Sequence, residues 1–378
     1  MHEPASFEEA ARLLRELSSR RRTIGISGGD APRGPSVVPV DEILSTRRMD
    51  RIVEYVPSDQ IVSVEAGMPV GALQSHLAER AQRLAIDPPE AHATTVGGMV
   101  AANAYGPLRT QYGTVKDLIV GMTIVRVDGT IARGGGKVVK NVAGFDIPKL
   151  MVGTYGTLAL IGSVTFRLHP LPRASAQRCV DALDAQGVRR VVRAMTDAQL
   201  EPSAVVAVLA EGGYTLAVRF EGFASGVDAQ CEAFAALAHT SVREGNVEAA
   251  HDAARSHGTA GFKITAPASH LPDLHEHVIR PLCGALLDSH ACVYPAAGIA
   301  FVSGDAADVA SLASAAAAAR AWVQRRGGSL VLERAPRALG DAVDRWGAPP
   351  PAFALMRALK DRFDPGRVLL PGGFVGGL

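Results

Sequence analysis

Three stretches of this 378-residue chain combine residue types and spacings suited to chemistry. Ser27-Gly28-Gly29-Asp30 follows the short apolar run from Thr23, so a strand delivers it as a loop. Thr94-Thr95-Val96-Gly97-Gly98 precedes the small residues Ala101, Ala102 and Asn103, so a helix begins within it. The third stretch runs from Gly134 to Gly162 and ends in the apolar residues 158–161. Glycines leave no Cβ between backbone and ligand, and a strand–loop unit can cradle a diphosphate with its amides. The start of a helix adds free N–H groups and a favourable dipole. The first loop is no Rossmann G-x-G-x-x-G, because no amphipathic helix follows it. A plain turn for the first stretch and a glycine-rich hairpin for the third remain the competing readings.

Periodicity shows what must position these loops. The capping box Ser6-x-x-Glu9, followed by Ala10, Leu13, Leu14 and Leu17, predicts an opening helix laid on a sheet. Strands are expected at 37–40, 51–56 and 61–65, then a helix from Gly67-Met68-Pro69 to about Arg80 with Val70, Leu73 and Leu77 on one face. Asp117 is expected to open a strand pair, 124–127 and 130–133, that turns at Asp128-Gly129. Pro148 should keep 142–150 from forming a long helix. Pro170-Leu171-Pro172-Arg173 marks a domain exit. Beyond it come a hairpin at 205–209 and 216–220 and a helix at 228–239. Strand 262–265, helix 270–286, strands 291–294 and 299–303, helix 306–326 and strand 329–333 then spell the split β-α-β-β-α-β arrangement. A last helix, 352–363, leads into Asp364-Pro365-Gly366.

Lys plus Arg (39) nearly equals Asp plus Glu (38), which leaves no electrostatic case for nucleic acid. No apolar run reaches membrane-spanning length, and the acidic, amphipathic start is unlike a signal peptide, so a cytoplasmic protein is expected, at most attached to a membrane face through partners. Cys179, Cys231, Cys283 and Cys292 form no C-x-x-C pair, which argues against an iron–sulfur or structural zinc site in this chain. His270, His275 and His277 with Glu276 fall on different sides of a helix, so a solvated or partner-facing helix is favoured over a metal site. No G-x-S-x-G supports a serine hydrolase.

The segment KNVAGFDIPKLMVGTYGTLALIGSVTFRLHPLPR resembles the KNVAGYDL…GS.GTLG…LRLLPRP segment of FAD-linked oxidases of the p-cresol methylhydroxylase and vanillyl-alcohol oxidase superfamily. The T-T-V-G-G…A-x-N-x-x-G run, the G….R.YG run, EAGMPVGALQSHL and the closing FDP…PG element are similar to that superfamily in the same order, and most closely to FAD-binding subunits of bacterial glycolate oxidases. The resemblance implies an α+β fold: a two-subdomain PCMH-type FAD-binding domain (1–172), a ferredoxin-like α+β second domain (173–348) and a C-terminal segment (349–378) that returns to the first. It carries FAD contacts onto Ser27, Gly28, Gly29 and Asp30 in the first loop. In the second region it carries them onto Pro88, Thr94, Thr95, Val96, Gly97, Gly98, Ala101 and Asn103, and onto Gly106, Arg109, Tyr112 and Gly113 beyond. In the third they fall on Lys140, Asn141, Gly144 and Asp146, then on Gly156, Thr157, Leu158 and Ile161. Leu370 stands where relatives often have Asn.

No histidine or cysteine occupies the places where covalent relatives tether their flavin, since His76 falls in a helix and His92 in a turn; the expectation is non-covalent FAD. The H-x-G-D-G-N-like motif of the related hydroxy-acid dehydrogenases is absent, so no catalytic base is named. Arg219 and Lys263, on second-domain strands, are the candidate carboxylate binders. The implied function is an oxidoreductase subunit that oxidises glycolate, or D-lactate, with a second FAD subunit and an iron–sulfur subunit as partners. A non-catalytic assembly subunit and a stand-alone FAD-dependent oxidase are the alternatives.

Overall fold

The computed structural model describes residues 1–29, 38–136 and 145–378. The helix Phe7–Ser19 is capped by Ser6 Oγ, which accepts the Glu9 N–H; the Glu9 carboxylate reaches back to the Ala5 N–H, one residue beyond the usual box. Its buried Ala10, Ala11, Leu14 and Leu17 pack on a small core with Ile24, Leu44, Val125 and Leu160. Strand β1 (Ile24–Ser27) runs parallel to β2 (Glu42–Ser45). The strand expected at 37–40 is displaced to β2: Val38–Val40 carry no strand, because Pro39 lacks the N–H a ladder needs, whereas the Glu42 N–H reaches Thr23 O.

Strands β3 (Ile52–Val56) and β4 (Ile61–Glu65) are followed by the helix Val70–Ala78, which buries Val70, Leu73 and Leu77. The two-residue β5 (Gln82–Arg83) later pairs with β9 (His169–Pro170). After the helix Val96–Ala102 come β6 (Ile119–Val125), β7 (Ile131–Gly135) and β8 (Leu160–Arg167). Together they complete an antiparallel five-stranded sheet in the order β3-β4-β8-β6-β7. One local expectation is corrected. Asp117 caps a short helix, Val115–Leu118, by accepting the Thr114 N–H instead of opening a strand. Pro148 lies in the first turn of the helix Ile147–Met151, where its missing N–H costs nothing, and that helix is only five residues long, in keeping with the expectation of no long helix there.

The second region forms one eight-stranded sheet in the order β13-β10-β12-β11-β15-β16-β14-β17. Its strands are β10 (Ala174–Leu183), β11 (Ala204–Ala210), β12 (Gly213–Gly222), β13 (Arg243–Glu244), β14 (Ala260–Thr265), β15 (Leu287–Tyr294), β16 (Ile299–Asp305) and β17 (Ser329–Arg334). It is a tandem of two split βαβ units joined side by side where β11 meets β15. The helices Ala185–Asp197, Ala224–Ala238 and Val309–Gln324, with the 271–284 segment, cover one face with a single apolar core. The opposite face puts Val206, Val208, Ala217, Cys292 and Phe301 into the core of the five-stranded sheet, with the helix Glu248–Ser256 between the layers. The expected continuous helix 270–286 is broken into Leu271–Leu274, a π turn His275–Ile279 and Arg280–Gly284. Pro281 has no N–H to return to residue 277, and the wider turn absorbs that loss.

The last helix, Phe353–Phe363, brings the chain back to its beginning. The Ile24 N–H donates to Val368 O (2.7 Å) and the Leu370 N–H to Ile24 O (2.9 Å), so the tail runs along β1. Buried Lys360 clamps it, its Nζ donating at 2.8 Å to Thr157 O, Leu369 O and Asp364 Oδ2.

Candidate cofactor cavity and adjoining anion chamber

A cavity of about 540 Å³ opens where the end of β1, the 93–102 segment, the strand entry at 156–161 and the tail 370–377 converge. Of the residues singled out from sequence, Ser27, Gly28, Gly29, Thr94, Thr95, Gly97, Gly98, Ala101, Gly156 and Ile161 line it. Gly28 is needed for the approach of the two loops, because a Cβ there would run into Thr95 Oγ1. The amide cradle differs from the sequence expectation. Val96 N–H donates to Met68 O (2.8 Å), Gly97 N–H to Ala66 O (2.7 Å) and Gly98 N–H to Thr95 Oγ1 (3.2 Å), so the start of that helix is already satisfied. The amides of Gly28 and Gly29 make no hydrogen bond among the described residues and are available donors on this wall. The rest of the lining is apolar, including Ile26, Val40, Ile43, Ala159 and Leu370.

The far wall could not be found by local reading. Trp346 and Phe374 stand 4.8 Å apart and Tyr155 lies 4.9 Å from Trp346, so aromatic rings from three distant segments close the cavity. Trp346 Nε1 donates to Gly373 O and fixes the tail against that wall. The one local signal was Tyr155 itself, set between Gly153 and Gly156.

Other expected contacts lie elsewhere. Val96 and Leu158 belong to the core, and Pro88 is buried away from the cavity. Buried Thr157 donates to Thr154 O and offers its carbonyl to Lys360. Gly106 packs on Asp87, Arg109 lies 4.2 Å from the Tyr105 ring centre, and Tyr112 OH accepts from Arg83. Gly113 ends the short helix carrying Arg109 and Tyr112, and Asp146 caps the helix Ile147–Met151 and pairs with Lys149 on the surface. Asp30, Lys140, Asn141 and Gly144 lie outside the described residues. Of the helix histidines, His275 Nδ1 meets Tyr214 OH at 2.8 Å, His277 stacks on Trp322, and His270 lies 3.6 Å from Asp273.

A second chamber of about 230 Å³ adjoins the first and shares Ala102, Tyr155 and Arg345 with it. Its wall carries Arg255, Lys263, Arg334 and Arg345 against the two carboxylates Glu90 and Glu333. Lys263 therefore lies at this chamber, whereas Arg219 is turned away to Gln177 and Glu248. Burial works against the Lys263 charge, but the Tyr105, Glu333 and Tyr155 oxygens outweigh it and hold the ammonium above the ordinary lysine value. Arg255 donates to Tyr105 O (3.0 Å) and Tyr294 OH (2.9 Å), while its buried Nε has no partner. Arg345 lies over the Tyr155 and Trp346 rings, also with a buried, unpartnered Nε, and burial pulls it below the usual arginine range. Asn103, at the mouth, has a buried Oδ1 without a partner. Burial, then Glu333, raises the Tyr155 phenol. Behind the wall, Tyr294 OH meets His251 Nε2 at 2.7 Å; burial, then Arg255, pushes His251 down to about 4, so this imidazole is neutral at pH 7. The site thus joins a long apolar cavity with a pair of free loop amides to a small chamber with surplus positive charge.

Residues 1–135 match the family model described as an FAD binding domain. The glycolate oxidase subunit GlcE of Escherichia coli (strain K12) is 37% identical over 135 residues, 35% of this chain and 39% of that protein. A D-lactate dehydrogenase of Archaeoglobus fulgidus is 34% identical over 173 residues, 45% of this chain and 38% of that protein. The mitochondrial D-2-hydroxyglutarate dehydrogenase of Rattus norvegicus is 30% identical over 173 residues, 45% of this chain and 32% of that protein. The matches thus span about two-fifths or less of these relatives' lengths. Among solved structures, substrate-bound p-cresol methylhydroxylase superposes with a TM-score of 0.76 at 16% identity, covering 99% of this chain and 88% of that one. An alkyldihydroxyacetonephosphate synthase does so with 0.73 at 16%, covering 98% and 76%. The fold is therefore the PCMH-type FAD-binding fold, and its N-terminal part is an FAD-binding domain. The cavity fits FAD on its own terms: its volume is that of a cofactor pocket, and the Gly28–Gly29 amides stand on its wall.

Proposed function

We propose, from the premise that the first 135 residues are an FAD-binding domain, that this chain is the flavin-carrying part of a 2-hydroxy-acid oxidoreductase. Residues 1–172 and the returning 349–378 hold the cofactor in this reading, and 173–348 close the substrate chamber over it. The observation that carries the proposal is the cationic chamber abutting the cofactor cavity, with Arg255, Lys263 and Arg345 on its wall. Bound FAD supplies a two-electron acceptor. Ser27, Gly28, Gly29, Thr95, Gly98, Ala101, Gly156 and Ile161 hold it without a covalent bond. Lys263 and Arg345 hold the substrate carboxylate, and Glu333 takes the hydroxyl proton. Burial between the two sheets keeps water away and strengthens these contacts. Glycolate and D-lactate are the substrates of choice, and electrons leave through a partner iron–sulfur chain, with a second FAD subunit completing the assembly.

The test is anaerobic titration of the FAD-loaded chain, alone and with candidate partners, while the flavin absorbance is followed. Glycolate or D-lactate should bleach it once the partners are present. Lys263→Met should raise the concentration needed at least tenfold, and Arg219→Met should leave it unchanged. Acid precipitation should release the flavin into the supernatant. Bleaching by neutral alcohols but not by hydroxy acids would overturn the carboxylate reading. The absence of an H-x-G-D-G-N-like run favours a second reading, an assembly subunit whose FAD is structural; flavin that no hydroxy acid bleaches, even with partners present, would establish it.

A further inference from the structure

We propose that His257, Asp288 and His290 form a binding site for a transition-metal dication of the zinc class, outside both cavities. The three are scattered in sequence, and the fold gathers them. His257 follows the helix Glu248–Ser256, while Asp288 and His290 share one side of the start of β15. There the pairing of β15 with β16 slips between Leu287 and His290, and Asp288 adopts φ 45°. The bulge turns the carboxylate toward His257, whose Nε2 lies 2.7 Å from Asp288 Oδ2; His290 Nε2 lies 3.6 Å from Asp288 Oδ1. All three ligand atoms fall within 4.8 Å of one another. Tetrahedral zinc, with bonds of about 2.0–2.2 Å, sets its ligand atoms about 3.4 Å apart, so small side-chain rotations suffice. Two imidazoles and one carboxylate are a borderline-soft donor set that leaves a fourth position for water.

A second observation points the same way. His257 Nε2 is buried, yet its approach to Asp288 does not satisfy hydrogen-bond geometry, so the nitrogen is unspent. The backbone behind it is fixed: Arg334 donates to His257 O and Gly258 O. Arg334 also lines the anion chamber, as do Arg255 and Ser256 immediately before His257. An ion here would tie the end of the helix carrying Arg255 to β15 and hold Arg255 in the chamber wall.

The experiment uses the tag-free, FAD-saturated chain, stripped with a chelator and titrated with Co²⁺ and then Zn²⁺. One Co²⁺ per chain should give the visible bands of a tetrahedral site, and one Zn²⁺ should displace it. His257→Ala and His290→Ala should each weaken Zn²⁺ binding at least tenfold, and Asp288→Asn severalfold, while His277→Ala binds as the parent does. Zn²⁺ should raise the Tm of the parent and not that of the two histidine variants. Circular dichroism and flavin content establish that each variant folds, and for any that does not, the parent's cobalt spectrum decides. No visible cobalt bands at stoichiometric metal, or binding that survives both histidine variants, would overturn the proposal and leave an ordinary His–Asp ion pair.

Discussion

Single residues separate cofactor effects from folding effects here. Gly98 lines the cavity, and a Cβ there would meet only Thr95 Oγ1, so Gly98→Val puts its bulk on the cofactor side. It should weaken FAD at least tenfold, read by flavin fluorescence titration, with little change in Tm. Gly129 has φ 79° and packs against Ala11 O and Arg15, so Gly129→Ala should cost about 1–2 kcal/mol of stability and leave FAD affinity intact. Asp87 gives a pH signature. Burial, opposed by the Leu108 N–H, raises its carboxyl from 3.8 to about 7. The folded state therefore prefers the proton; that stability is full below the unfolded pKa and is lost as pH rises through 7. The Tm should fall by several degrees between pH 6 and 8, and Asp87→Asn should flatten that slope; an unchanged slope would remove Asp87 as its source. At this scale the loops Ser27–Gly29 and Thr94–Gly98 were legible, since glycine and hydroxyl spacing is a local signal. What their amides do was not, because Ala66 O and Met68 O reach the helix start from a neighbouring strand end.

Elements were legible where periodicity is strong and blurred where proline acts. The strands around β4, the Val70–Ala78 helix and the second split βαβ unit follow directly from apolar spacing. In the first unit the β11–β12 hairpin and the helix Ala224–Ala238 were legible but β10 was not, because it mixes charged and small residues and its half-exposed face mimics a loop. The tail shows how one element depends on another. Lys360 is buried and satisfied by Asp364 and two carbonyls, and burial lowers its pKa. Lys360→Met leaves the Asp364 charge buried with only the Val368 and Leu369 amides, and should cost about 3–5 kcal/mol in urea unfolding. Because residues 370–377 wall the cavity, the same variant should also release FAD more readily. Full retention of flavin at that loss of stability would show that the tail does not shape the site.

At the scale of the molecule, two antiparallel sheets meet back to face and leave the anion chamber at their junction. No helix among the described residues is long and apolar enough to cross a membrane, and no cysteine pair supplies an electron exit. On the proposal that turnover needs the assembly, the isolated, FAD-saturated chain should reduce dyes from glycolate negligibly. Adding sister flavin and iron–sulfur chains should raise turnover at least about a hundredfold, equivalent to roughly 2.7 kcal/mol of barrier. Equal rates alone and in complex would instead show a self-sufficient oxidase. The pairing of Ile24 with Leu369 has a consequence for biosynthesis. On the ribosome β1 emerges early, but its second neighbour and the aromatic wall at 374 emerge only after the whole eight-stranded sheet has been made. The flavin pocket cannot close while the chain is still being translated through that sheet, so cofactor capture follows the synthesis of the 370–377 wall. A stalled nascent chain carrying only residues 1–172 should emerge without bound flavin.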